Sequence, residues 1–285
     1  MNALRERSAR TVAVIGAGMI GTSVGLALRR HGVLTYLHDR DPVVAAAAAA
    51  LGAGVAGLPE PTVDLVVIAV PPGEIATVLG ECQARGLGRF YTDVGSVKAA
   101  PLAEAKAVGC DLTSYVGGHP MAGSERSGPH AASAQLFDGR VWALTPLAET
   151  CSDAIETVVE FVGSTGARPV MMAHDEHDRI VARTSHAPHL VASALAATLA
   201  DADDPTLRLC GAGLRDATRI AAGDAGLWTD ILRANATEVA KVLAEVASDL
   251  TTAAAALRAE SGELTELLGR GNAGRALLTE QGGAR

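Results

Sequence analysis

Val12-Ala-Val-Ile-Gly16-Ala-Gly18-Met19-Ile20-Gly21 decides the fold: an apolar, β-branched run stops at a glycine, and G-x-G-x-x-G then opens a helical stretch. In that context Gly16 makes the tight turn and Gly18 lets the backbone approach a pyrophosphate. Gly21 lets the helix lie close on the strand. The helix start, with Met19 and Ile20, offers unpaired N–H groups and a partial positive charge to the phosphates. The stretch reads as the entry to a doubly wound dinucleotide-binding fold of the Rossmann type.

Outward from it, short strand-like runs at 11–15, 33–38, 65–70, 90–93, 115–118, 141–145 and 169–172 alternate with helical stretches at 20–30, 42–51, 75–83, 98–107 and 151–164. That alternation is the pattern of parallel βαβ units. Residues 1–172 are therefore expected to form an α/β domain with a mostly parallel sheet, and 173–285 an all-α domain. Long helices are expected at 177–200 and 227–257, parted by the break at 201–205. The acidic patch from Asp201 to Asp204 reads as a solvated loop there, and the Gly-rich tail at 271–285 is expected to fray. Pro188, inside a helical pattern, is expected to kink it toward a cleft. Small apolar faces of this kind bury against a second copy, so a homodimer through the helical half is expected.

Composition excludes several partners. The 285 residues carry 24 basic and 32 acidic side chains, a net of −8, without the clustered positive charge that nucleic acid requires. No apolar run reaches the roughly 20 residues of a membrane span. The opening MNALRERSAR is charged and lacks a signal peptide's apolar segment, so a cytoplasmic location is expected. Four cysteines without a CxxC pair are expected to be reduced and mostly buried. His174-Asp-Glu-His177-Asp178 lacks the i, i+4 histidine pair of a zinc helix and reads as a polar helix start with no metal.

The second strand ends at Asp39, where a carboxylate holds the adenosine ribose of NAD. Arg40 beside it suits a 2′-phosphate, which keeps NADP as the alternative. Ala69-Val70-Pro71-Pro72 is expected either to wall the adenine side of the cofactor or to be a structural turn. Thr92-Asp-Val-Gly-Ser96-Val-Lys98 follows a strand, at the sheet edge where such folds place ligands. Ser96 there either caps the next helix or donates to substrate. His119 lies in a loop of small and polar residues, positioned to take a proton near neutral pH.

VIGAGMIGTSVG, TDVGSVK, GGHPMAGSERSG, SHAPHLVASAL and GLRDATRIAAGDAGLW together resemble the prephenate/arogenate dehydrogenase family, in its order and spacing from Val12 to past Trp228. The resemblance implies a Rossmann domain followed by a helical dimerisation domain. It also implies oxidative decarboxylation of a cyclohexadienol, with NAD or NADP taking a hydride. His119 would accept the ring hydroxyl's proton, Ser96 would orient that hydroxyl and His119, and Ser124 and Glu125 would line the site mouth. His189 would contact the substrate side chain, supported by His186. Arg219 would bind the ring carboxylate and Trp228 would border the pocket. Prephenate is the expected substrate, with arogenate and 4-amino-4-deoxyprephenate as alternatives; Asp216, near Arg219, either pairs with an ammonium, which favours arogenate, or has a structural role on a helix surface. More remote alternatives are a reductase of the 6-phosphogluconate or imine type and a non-catalytic NAD-binding regulator.

Overall fold

Alternation along β1 (Thr11–Ile15) sends Val12 and Val14 into one hydrophobic cluster and Ala13 and Ile15 into another, and all four are buried. β4 (Val63–Ile68) repeats this, with Leu65 and Val67 on the first side and Val66 and Ile68 on the second. A sheet buried on both faces requires a layer of helices on each. The computed structural model describes residues 10–60, 62–123, 126–259 and 262–282.

The remaining strands are β2 (Leu34–His38), β3 (Val55–Ala56), β5 (Gly88–Asp93), β6 (Tyr115–Pro120), β7 (Val141–Thr145) and β8 (Arg168–Met171). Their order in the sheet is β3-β2-β1-β4-β5-β6-β7-β8, parallel throughout except for the antiparallel β6–β7 pair. From β1 the chain goes first to β2 on one side and later to β4 on the other. Such a reversal opens a crevice at the carboxyl ends of the central strands. The helices of this part are α1 (Met19–Arg29), α2 (Pro42–Ala50), α3 (Ile75–Ala84), α4 (Ala99–Ala107) and α5 (Ser152–Ser164). Phe137, Trp142 on β7 and Phe161 on α5 form a buried aromatic row, with ring centroids 5.1 and 5.5 Å apart.

Beyond the sheet run α6 (His174–Val181), α7 (Ala187–Ala197), α8 (Asp204–Arg208), α9 (Ala212–Thr218) and α10 (Ala225–Ala234). The chain through Ala236 packs as one compact unit, along which strands give way to helices after residue 172. The second unit begins at Thr237 and contains most of α11 (Ala236–Ala259) and all of α12 (Glu263–Gly282). Within it Arg270 Nη2 reaches Asp249 Oδ1 at 2.8 Å.

Several expectations are corrected. The third strand lies two residues earlier than expected: Ala69 N still bonds across to Ile15 O, but Pro71 and Pro72 have no N–H to donate and lead into a short 3-10 turn. The two-residue β3 was not anticipated. The helix expected at 227–257 breaks at Asn235, whose side chain is drawn inward to Asp178 and His186. The tail expected to fray is helical to Gly282, while residues 283–285 lie outside the described part. Only Cys82 of the four free cysteines is buried, and Cys151 is exposed before α5. In the acidic patch, Asp203 caps α8, accepting the Thr206 N–H at 3.0 Å.

Candidate active site

Gly16 leaves β1 with φ of 101°, and a Cβ there would lie 2.2 Å from the carbonyl of Ala69. A Cβ on Gly21 would lie 1.9 Å from the carbonyl of Gly16, whereas one on Gly18 would meet nothing within 4 Å. Two glycines are thus demanded by the fold itself, and the third leaves open space at a helix start that no side chain caps. That is the cradle a pyrophosphate fits. Asp39 braces it: Oδ2 accepts the Ala17 N–H at 2.8 Å and Oδ1 the Asp41 N–H at 3.0 Å. A cavity of about 370 Å³ beside the cradle is lined by Gly16, Gly18, Asp39, Arg40, Val70 and Pro71, among others. Arg40 is paired at 3.3 Å with Glu74, so a carboxylate stands where a 2′-phosphate would seek its cation. The residues fit NAD. Asp39→Asn sets an amide N–H against a backbone N–H and is expected to weaken NAD binding about tenfold, near 1.4 kcal/mol, as read by fluorescence titration.

A second cleft, about 690 Å³, shares Gly18, Val70 and Pro71 with the first and extends to Met19 and Ile20. It brings Ser96, His119, His186, His189, Arg219 and Trp228 together. Ser124 and Glu125 lie outside the described residues.

His119, expected in a loop after a strand ending at 118, lies instead within β6, paired with Ala143, and the end of that strand is fixed by a buried cluster. Asp93 accepts Gly95 N–H at 2.6 Å, Gly118 N–H at 3.2 Å and the Tyr115 hydroxyl at 2.5 Å, and it pairs with the Lys98 ammonium. Lys98 also donates to Gly118 O at 2.6 Å. Burial and the Asp93 carboxylate push the Tyr115 hydroxyl well above its ordinary pKa, so it stays a donor. One carboxylate therefore ties the end of β5 to the strand that presents His119.

His119 Nδ1 lies 2.9 Å from His177 Nε2, and His177 Nδ1 lies 2.8 Å from Asp178 Oδ1. Asp178 also accepts Lys98 N–H and Ala99 N–H, each at 2.9 Å, and so caps α4 from a different helix. Ser96 is consequently not the cap of α4, and no hydrogen bond joins it to His119. Burial alone would raise the Asp178 pKa, but the hydrogen bonds from His177, Ala99 and Lys98 hold it below the ordinary value. Burial, then the neighbouring His177, Lys98 and His186, push His119 well below 6.5. His177 and Asp178 are more than the polar helix start the sequence suggested: both are buried. Adjacent titratable residues in a helical first turn look the same whether solvated or buried. Only the fold brings β6 against this helix.

The helix from His174 is widened by a π turn over Ala182–His186. Pro188 has no N–H and its ring crowds the carbonyl four residues back, which the wider turn relieves. Ser185 and His186 of this turn line the cleft. His186 is buried, pushed down to about 4 chiefly by burial, and its Nδ1 lies 3.1 Å from Asn235 Nδ2. His189, lowered by burial, stacks on Trp228 with centroids 3.5 Å apart and planes at 11°. A Cβ on Gly223 would come within 2.4 Å of Trp228 Nε1, so the stack needs glycine there. His186 Nε2 and His189 Nδ1 are buried without a hydrogen-bond partner among the described residues. Both residues line the cleft, so a molecule bound there can supply the missing partners.

Residues 24–171 match the family model "Prephenate dehydrogenase, nucleotide-binding domain", and residues 173–270 match "Prephenate dehydrogenase, dimerization domain". The chain belongs to the prephenate dehydrogenase family. It is an oxidoreductase with a Rossmann-type sheet and a helical part, as in other prephenate dehydrogenases. It is 44% identical to "Probable prephenate dehydrogenase NovF" of Streptomyces niveus, over 92% of this chain and 73% of that one. It is 32% identical to the cyclohexadienyl dehydrogenase of Zymomonas mobilis, over 88% and 90% of the two chains. Among solved structures it resembles the A. aeolicus prephenate dehydrogenase in complex with hydroxyphenyl propionate and NAD+, with a TM-score of 0.84 and 28% identity. That match covers 95% of this chain and 99% of the other.

Proposed function

We propose that this member of the prephenate dehydrogenase family converts prephenate to 4-hydroxyphenylpyruvate and CO2 with NAD, as a cytoplasmic homodimer. The observation that carries the reading is the composition of the larger cleft. Arg126, Arg140 and Arg219 line it together with the histidines, and no carboxylate lines it among the described residues. That suits a dicarboxylate with a keto side chain. Arogenate adds an ammonium, and Asp216 is exposed and does not line the cleft.

NAD, bound on the glycine cradle, would supply the hydride acceptor. Arg219 holds the ring carboxylate until it leaves as CO2, and His189 and His186 meet the side chain. His119 Nε2 accepts the proton of the ring hydroxyl as hydride leaves the same carbon. Loss of CO2 then makes the ring aromatic, and the phenolic oxygen regains a proton. The protein's task is alignment and one proton transfer. Exposed Leu250 and Leu257 on α11 and Leu268, Leu277 and Leu278 on α12, with the family's dimerization-domain match, support pairing through residues 173–285.

The test is NADH formation by the purified protein, with kcat/KM compared across prephenate, arogenate and 4-amino-4-deoxyprephenate. Preference for prephenate supports the proposal; preference for an amino-bearing substrate moves it within the family. NAD binding without turnover of any of the three overturns it. Because a neutral His119 is the working base and its pKa is lowered, kcat/KM for prephenate should stay level as pH falls from 7 to 6.5 and decline only below that. A decline centred above 6.5 would contradict the geometry.

A further inference from the structure

We infer that Asp178 and His177 lock the tautomer of His119, keeping its proton on Nδ1 so that Nε2 offers a lone pair to the cleft. The inference rests on the dehydrogenase reading of this site, but its logic is local. Asp178 faces three donors and no acceptor: Lys98 N–H, Ala99 N–H and the His177 ring. As an ionised carboxylate at a helix start it only accepts, so His177 Nδ1 must carry hydrogen. With its one ring hydrogen on Nδ1, His177 presents a bare Nε2 at 2.9 Å from His119 Nδ1, and the lock we infer takes that atom as the acceptor. His119 Nδ1 therefore carries hydrogen and its Nε2 does not.

Competing partners are engaged elsewhere. Lys98 Nζ is held by Asp93 and Gly118 O, and His186 Nδ1 faces Asn235. Asn235 further secures the helix by donating to Asp178 O at 2.8 Å. When Nε2 takes the hydroxyl proton, the resulting imidazolium keeps its Nδ1–H on His177, with the Asp178 carboxylate behind that ring. His177 and Asp178 are positioning residues; neither lines the cleft.

Ring 15N NMR of the histidine-labelled full chain without substrate tests this, with His119→Asn assigning the signals. Expected is a protonated Nδ1 and an unprotonated Nε2 on His119, shifting toward Nε2–H in Asp178→Asn. An Nε2–H tautomer in the unaltered protein overturns the inference, as does an unchanged tautomer in folded Asp178→Asn. A kinetic pair supplies a second readout should Asp178→Asn not fold. His177→Gln keeps a carbonyl able to accept the Nδ1–H, whereas His177→Leu does not. The Gln variant should retain at least tenfold more kcat than the Leu variant at similar KM and Tm, and equal kcat values would overturn the lock. Failure of the function reading is distinguishable: the unaltered protein would then form no NADH from prephenate while the NMR result stands.

Discussion

His119→Asn is expected to lower kcat by roughly a thousandfold while leaving the NAD dissociation constant within about twofold, consistent with the usual range for removing a general base. Asparagine is close in length and its amide N–H can still donate to His177 Nε2, so the local network persists. What disappears is a basic atom facing the ring hydroxyl. The first cavity, with Gly16 and Asp39, does not include His119, so cofactor binding has no reason to change. Residual turnover then measures alignment alone. Equal losses in kcat and in NAD affinity would mean that His119 holds the cofactor rather than the proton.

The second large effect is on Arg219. Arg219→Ala is expected to raise the prephenate KM about 30-fold, near 2 kcal/mol for a charge-assisted hydrogen bond, with kcat within about threefold. Arg219 lies at the exposed end of the cleft, where α9 passes into a short 3-10 turn, so truncation leaves the core untouched. Arg219→Lys should recover part of the loss, because it restores charge without the planar fork. Steady-state kinetics with varied prephenate at saturating NAD separates the two parameters. A fall in kcat at unchanged KM would instead assign Arg219 to the transition state.

Much of this was legible in the sequence, and the exceptions share a cause. The glycine loop, the alternating strands and His119 as a candidate base are local signals, carried by spacing within about ten residues, although the sequence placed His119 in a loop rather than in β6. The break at Asn235 and the burial of His177 are not local. Asn235 ends α10 because its amide is used by Asp178 and His186, residues 57 and 49 positions away. His177 becomes part of the site only because His119, 58 residues earlier, reaches it. Pro188 lies between these cases: the sequence announced a distortion, and the fold resolved it as a widened turn.

That widened turn has a rotational consequence. An α-helix advances about 100° per residue, so nine residues carry the direction of a side chain roughly half a revolution round. His177 and His186 are nine apart and in an uninterrupted helix would face opposite ways. One residue taken up by the π turn leaves them only about 80° apart. That is near enough for Asn235 to touch both the Asp178 carbonyl and the His186 ring. The site is thus specified by a count of residues as well as by their kinds. Winding the same nine residues as a regular α-helix, with no wide turn over 182–186, would carry His186 and His189 out of phase with His177 together.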